Sequence, residues 1–157
     1  MSTARAEIVV DADALQHVTG PLAGAVLTPH AGELAAMLGA DRAAIEARPL
    51  HFARAAAQRF DTVVLLKGRR TVVARPDGTA RVNTTGTAWL ATAGAGDVLG
   101  GLVGSLLAAG LTAYDAASVG AWLHGAAATL ASDGGPLVAG EVAVALPEVV
   151  RRLLADA

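Results

Sequence analysis

Apolar residues fall in short unbroken runs in the first half of the chain and in long helical stretches in the second. Thr62-Val-Val-Leu-Leu66 is a continuous apolar run, as expected of a strand buried on both faces of a parallel sheet. Glu7–Val10 and Val26-Leu27 read as shorter strands of the same kind. Helical spacing predicts Leu34–Leu38, then Asp41–Ala47 with Asp41 as N-cap and closure before Pro49, then Leu50–Arg59 ending at Phe60. Thr71–Ala74 and Arg81–Asn83 flank Pro76-Asp77-Gly78, which predicts a turn joining antiparallel strands. Further helices are predicted over Asp97–Ala109, with Gly110 just past its end, and over Ala113–Ala131. Ser132–Gly140 reads as a loop, and Glu141–Ala155 as a helix or helix pair broken near Pro147. Gly100, Gly101 and Gly104 cost roughly 1 kcal/mol each against Ala inside a helix. Close packing on the sheet or on a ligand is the expected reason for them.

Composition narrows the class. The 157 residues fit one domain, spanning the whole chain, and the 54 % hydrophobic and 17 % charged fractions describe a well-buried globular chain. Net charge is −2 with no basic cluster, which argues against nucleic acid or an anionic membrane as partner. The absence of cysteine excludes disulfides, thiolate catalysis and Cys-based zinc sites. Met1–Glu7 has no apolar signal core, so the expected location is cytoplasmic. Val98–Ala113 is too short and Gly-rich for a membrane span. Lys67 is the only lysine in a chain that otherwise uses arginine.

Candidate chemistry concentrates at predicted junctions. Thr92, Ala93, Gly94, Ala95 and Gly96 stand directly before Asp97 at a predicted helix start. Amides exposed by Ala93–Gly96 would form an anion hole, and Asp97 beside it could take a proton from a hydroxyl. Asp97 as a simple N-cap is the alternative. Asp11 and Asp13 follow a strand end, where ligands approach an open α/β sheet, and turn or cap chemistry explains them equally well. His30 and Glu33, three apart at a strand-to-helix junction, can face one pocket, or be a solvated His beside a first-turn acid. Lys67-Gly68-Arg69-Arg70-Thr71 sits where β-structure turns into a hairpin, a place for a nucleotide or phosphate contact or a solvated basic loop. Trp122 and His124 are core or interface positions first. P-loop, dinucleotide, nucleophile-elbow, HExxH and EF-hand patterns are absent, and no internal repeat or linker is visible.

Five motifs occur in order: Asp-Ala-Asp, Thr-Pro-His-Ala-Gly-Glu, Leu-Lys-Gly-x-x-Thr, Asn-x-Thr-Gly and Ala-Gly-Ala-Gly-Asp-Val-Leu-x-Gly. This set resembles the NAD(P)H-hydrate dehydratases (the carbohydrate-kinase-like YjeF C-terminal domain) of the ribokinase-like superfamily. The resemblance implies a three-layer α/β sandwich with a mostly parallel sheet. It implies ADP- or ATP-dependent dehydration of NADHX or NADPHX to NADH or NADPH. His30 and Asp97 match the hydrate-binding positions, with Asp97 as the base. Lys67, Gly68, Arg69, Arg70, Thr71 and Gly96 match the adenine-nucleotide positions. Glu33 matches a Mg²⁺-associated acid acting through water. A small-molecule kinase for a sugar or vitamin precursor is the alternative within the superfamily, although sugar kinases tend to carry Asn where His30 stands. A nucleotide-binding module without turnover is a third reading. Family members have a longer domain, so early strands and a Gly-rich substrate loop are expected to be missing here. Either a longer chain or homo-oligomerisation would complete the sheet.

Overall fold

The computed structural model describes residues 7–155. Met1–Ala6, on which the cytoplasmic expectation largely rests, lie outside the described residues. Among the described residues five strands form one sheet in sequence order: β1 Ile8–Val10, β2 Ala25–Leu27, β3 Val63–Leu66, β4 Thr71–Ala74 and β5 Ala80–Asn83. β1, β2 and β3 run parallel, and β4 and β5 fold back as an antiparallel hairpin. Alternation sorts the strand side chains into two cores, as a period of two requires. Leu27, Val64, Leu66 and Val72 pack with Leu34, Ile45, Ala53 and Phe60 on one side. Val26, Val63, Leu65 and Val73 pack with Leu99, Val103, Leu107 and Ala117 on the other.

The first side is covered by α1 Ala31–Leu38, α2 Arg42–Ala47 and α3 Pro49–Phe60. The second is covered by α4 Ala95–Ala108 and α5 Ala113–Ser132, with α6 Ala139–Ala155 packed against both. The result is the three-layer α/β sandwich that the motifs imply. Val26, Leu27, Val64 and Leu65 are wholly buried, each stabilising the fold by about 1.5–3 kcal/mol relative to exposure. Polar residues at strand ends are satisfied across the sheet: Thr62 Oγ1 donates to the Ala25 carbonyl at 2.6 Å, and Thr28 Oγ1 to that of Val10 at 3.3 Å. No helix among the described residues is long and apolar enough to cross a membrane.

Several sequence-based readings change. Helix α4 begins at Ala95, two residues before Asp97, because Gly94 in the left-handed region (φ +84°) starts the turn. Helix α6 runs unbroken through Pro147, correcting the expected break. Ala143, whose carbonyl loses its donor to the proline ring, lies on the exposed side with Pro147, where water can replace the bond. The glycines of α4 are not packing devices either: a Cβ at Gly100, Gly101 or Gly104 would meet nothing within 4 Å. The close approach between α4 and α5 is made instead at Gly120, where a Cβ would fall 2.7 Å from Val103 Cγ2.

Candidate active site

Three parallel strands deliver three polar side chains at their carboxyl ends. Asp11 follows β1 directly, His30 lies three residues beyond β2, and Lys67 follows β3 directly. His30 and Lys67 extend the sheet by one parallel bridge, in which the Lys67 N–H donates to the Pro29 carbonyl at 2.8 Å. This edge is where an open α/β sheet admits ligands.

His30 caps α1. Its Nδ1 accepts from the N–H groups of Gly32 at 3.0 Å and Glu33 at 3.1 Å, while Glu33 Oε2 accepts the His30 N–H at 2.7 Å. This is a reciprocal capping box with histidine in place of the usual hydroxyl residue. Because Nδ1 accepts, the proton of the neutral ring sits on Nε2, which lies 3.5 Å from Glu33 Oε1 on the solvent side. The same ring crowds Gly32: a Cβ there would stand 3.0 Å from His30 Cε1 and would press the ring aside. His30 is thus neither a solvated loop residue nor a purely ligand-facing one.

Lys67 joins the strand ends to α4. Its Nζ lies 2.7 Å from Asp11 Oδ1 and 3.9 Å from Glu33 Oε2, with all three side chains about a quarter exposed or less. A Cβ on Gly96 would sit 3.5 Å from Lys67 Nζ and 3.6 Å from Asp11 Oδ2. The cluster therefore runs without interruption from His30 through Glu33, Lys67 and Asp11 to the first turn of α4.

Among the described residues no side chain caps α4. The Ala95 N–H donates to the Thr92 carbonyl at 3.3 Å, and Val98 makes the first bond into the helix, to Gly94, at 3.2 Å. Among the described residues the N–H groups of Gly96 and Asp97 have no intramolecular acceptor. Asp97 is the third helical residue, not the N-cap, so the capping alternative for it falls. Its carboxylate is exposed and makes no hydrogen bond or ion pair among the described residues. Ala93 and Gly94 form the exposed lip of this turn.

The remaining basic segment diverges from the cluster. Gly68, Arg69 and Arg70 form an exposed loop, and Thr71 opens β4 opposite Asn83. The Asn83-x-Thr85-Gly86 motif faces α5: Asn83 Nδ2 donates to the Ala121 carbonyl at 3.0 Å and Thr85 Oγ1 to that of Trp122 at 3.1 Å. Thr85, Gly86, Trp122 and Leu153 line an open groove of about 620 Å³. His124 lies behind α4 and is buried. Burial pushes its pKa below the usual histidine value, and a hydrogen bond with the Ala95 backbone offsets this only in part. Its Nε2 has no partner among the described residues. Trp122 on the same helix is partly exposed, so the core reading holds for His124 alone.

The strand-end cluster and the uncapped helix can be set against known proteins. The family described as NAD(P)H-hydrate dehydratase matches residues 1–144. The chain belongs to that family. It is 41 % identical over 155 residues to an ADP-dependent (S)-NAD(P)H-hydrate dehydratase of Neisseria meningitidis, covering 93 % of this chain and 52 % of the relative. A crystal structure of the ADP/ATP-dependent NAD(P)H-hydrate dehydratase from Bacillus subtilis, co-crystallised with ATP/Mg²⁺ and soaked with CoA, superposes with a TM-score of 0.86 at 36 % identity. That superposition covers 92 % of this chain and 55 % of the Bacillus chain. A ribokinase-like superfamily protein of Enterococcus faecalis (TM-score 0.77, 22 % identity) shares the fold. The chain spans about half the length of the dehydratases it matches.

Proposed function

We propose that this chain carries the nucleotide and phosphoryl-transfer site of an ADP- or ATP-dependent NAD(P)H-hydrate dehydratase, restoring NADH or NADPH from NADHX or NADPHX. One observation supports this above the rest. Lys67 is drawn by two carboxylates onto the uncapped first turn of α4, beside an exposed, uncommitted Asp97. A cation and free helix amides attract phosphate oxygens, and a carboxylate one residue on can take a proton.

In this reading Asp97 removes the proton of the hydrate hydroxyl, and that oxygen attacks the terminal phosphorus of the nucleotide in line. The phosphoanhydride bond breaks, releasing AMP from ADP or ADP from ATP. The Gly96 and Asp97 amides and Lys67 meet the charge that develops on the transferred group. The ring nitrogen's lone pair then expels inorganic phosphate, and loss of the neighbouring ring proton restores the dihydronicotinamide. In the same reading His30, with its Nε2 proton facing solvent, donates to the hydrate. Gly68–Thr71 line the approach of the nucleotide.

The residues fit Mg²⁺ only as a nucleotide-borne ion. Glu33 would hold the metal through water, with Oε2 also accepting from the His30 N–H. No group of three or more ligating side chains converges among the described residues, so waters and phosphate oxygens would complete the ion's shell. When bound, Mg²⁺ supplies charge neutralisation at the phosphates.

The test uses the protein, with whatever chain or copy completes its sheet, together with NADHX and either Mg·ADP or Mg·ATP. The near-ultraviolet absorbance of the dihydronicotinamide should rise only when nucleotide is present. Flat absorbance with nucleotide consumed on a sugar or vitamin precursor would instead identify a kinase. Nucleotide binding without either turnover would identify a binding module.

A further inference from the structure

We propose that Asp11 is a positioning residue whose carboxylate fixes the Lys67 ammonium against the first turn of α4, and so sets where phosphate charge is met. The inference rests on the nucleotide reading of Lys67 given above. Asp11 stands at the N-cap of the 3-10 turn Ala12–His17, yet its side chain makes no capping hydrogen bond there. Both oxygens are directed elsewhere: Oδ1 accepts from Lys67 at 2.7 Å, and Oδ2 lies beside Gly96. The backbone turns sharply at the next residue. Ala12 has φ +50°, in the left-handed region that a residue with a Cβ rarely adopts, immediately after the carboxylate.

Glu33 cannot hold the ammonium alone. It is 3.9 Å away, and its nearer oxygen is committed to the His30 N–H. Lysine is a point charge on a flexible stem, so an unpinned Lys67 loses direction before it loses charge. A bare carboxylate at this spot would repel phosphate. Paired at 2.7 Å, it contributes little net charge and supplies orientation. The two effects predict opposite signs when Asp11 is removed, and pinning predicts weaker nucleotide binding.

Since Lys67 is the only lysine, lysine labelled at Cε gives a single side-chain signal in the full chain. That signal should carry the shift and width of an ordered group. Asp11→Ala should return it to the free-lysine position without changing the melting temperature. Mg·ADP affinity, measured by calorimetry, should fall about five-fold in Asp11→Ala, and Asp11→Ala added to Lys67→Met should cause no further loss. Tighter binding by Asp11→Ala, an unmoved lysine signal, or an equal loss in both backgrounds overturns the proposal. Lys67→Met binding Mg·ADP like wild type overturns the nucleotide reading itself, and this inference with it. Should Asp11→Ala misfold, the isosteric Asp11→Asn is measured by the same criteria.

Discussion

The strand-end cluster and the seam where Asn83–Gly86 meets α5 are built from motifs of the same signature, but they do different work. In the cluster, polar atoms are partly exposed and the α4 amides and Asp97 lack intramolecular partners. In the seam the Asn83 and Thr85 side chains are tied to backbone: Thr85 Oγ1 reaches the Trp122 carbonyl as well as Asn83 Oδ1 at 2.9 Å, and Asn83 Nδ2 reaches the Ala121 carbonyl. Gly86 and Gly125 face each other there; a Cβ on Gly86 would come within 3.4 Å of Gly125 Cα. Unspent bonding capacity marks the region with chemistry, and side chains bonded to backbone mark the region that holds elements together. One motif of such a signature can therefore be a joint between elements and not a site.

Substitutions can break this contrast. The largest effect should come from Asp97→Asn. If Asp97 is the base, hydrate turnover falls about 10²–10⁴-fold, while nucleotide affinity and melting temperature stay near wild type. A retained rate moves the base elsewhere in the cluster. Gly125→Ala should do the reverse, because its Cβ would stand 2.7 Å from the Thr85 carbonyl oxygen, a backbone atom that cannot swing aside. Overpacking there should cost about 1–3 kcal/mol in denaturant unfolding, with nucleotide affinity of the folded protein unchanged. Loss of binding out of proportion to stability would join the seam to the site.

Gly101→Ala should stabilise by up to about 1 kcal/mol, since the position is exposed, helical and open around the missing Cβ. A destabilised variant would show that something does pack on that face of α4. The mildest test is pH. The His124 pKa is lower folded than unfolded, so protonation favours unfolding: its contribution is intact above the ordinary value of 6.5 and is lost as pH falls from there towards the folded pKa. Melting temperature should decline through that window in wild type and less in His124→Leu. Identical profiles would exclude His124 as the titrating group.

Much of the fold was legible because its signals are local. β3 announces itself by five consecutive buried residues, Thr62 to Leu66, and the β4–β5 hairpin by its Pro-Asp-Gly turn. Asp41 caps α2 as its position suggests, accepting from the Ala43 N–H at 3.2 Å. Local signals failed where a backbone property decides. Small residues carry no periodicity, so the start of α4 at Ala95 was invisible and Asp97 stood in for it. Histidine is uncommon as a cap, so the His30–Glu33 spacing suggested a pocket and concealed the capping box. Asp11 and Lys67 are 56 residues apart, and only the parallel order of β1, β2 and β3 brings their strand ends together. An acid at a strand end and a lone lysine at another were the available hints to that pair.

Helices α1, α2 and α5 begin under side-chain caps, from His30, Asp41 and Thr112, and α4 does not. That omission makes α4 a thermodynamic reporter. An anion that occupies the open turn in the native state alone stabilises the whole domain by RT ln(1 + [L]/Kd), about 2.7 kcal/mol at one hundred times Kd. Since Leu99, Val103 and Leu107 tie α4 into the same core as β2 and β3, occupancy at one helix end is read out across the sheet. The melting temperature then becomes a measure of free ligand concentration.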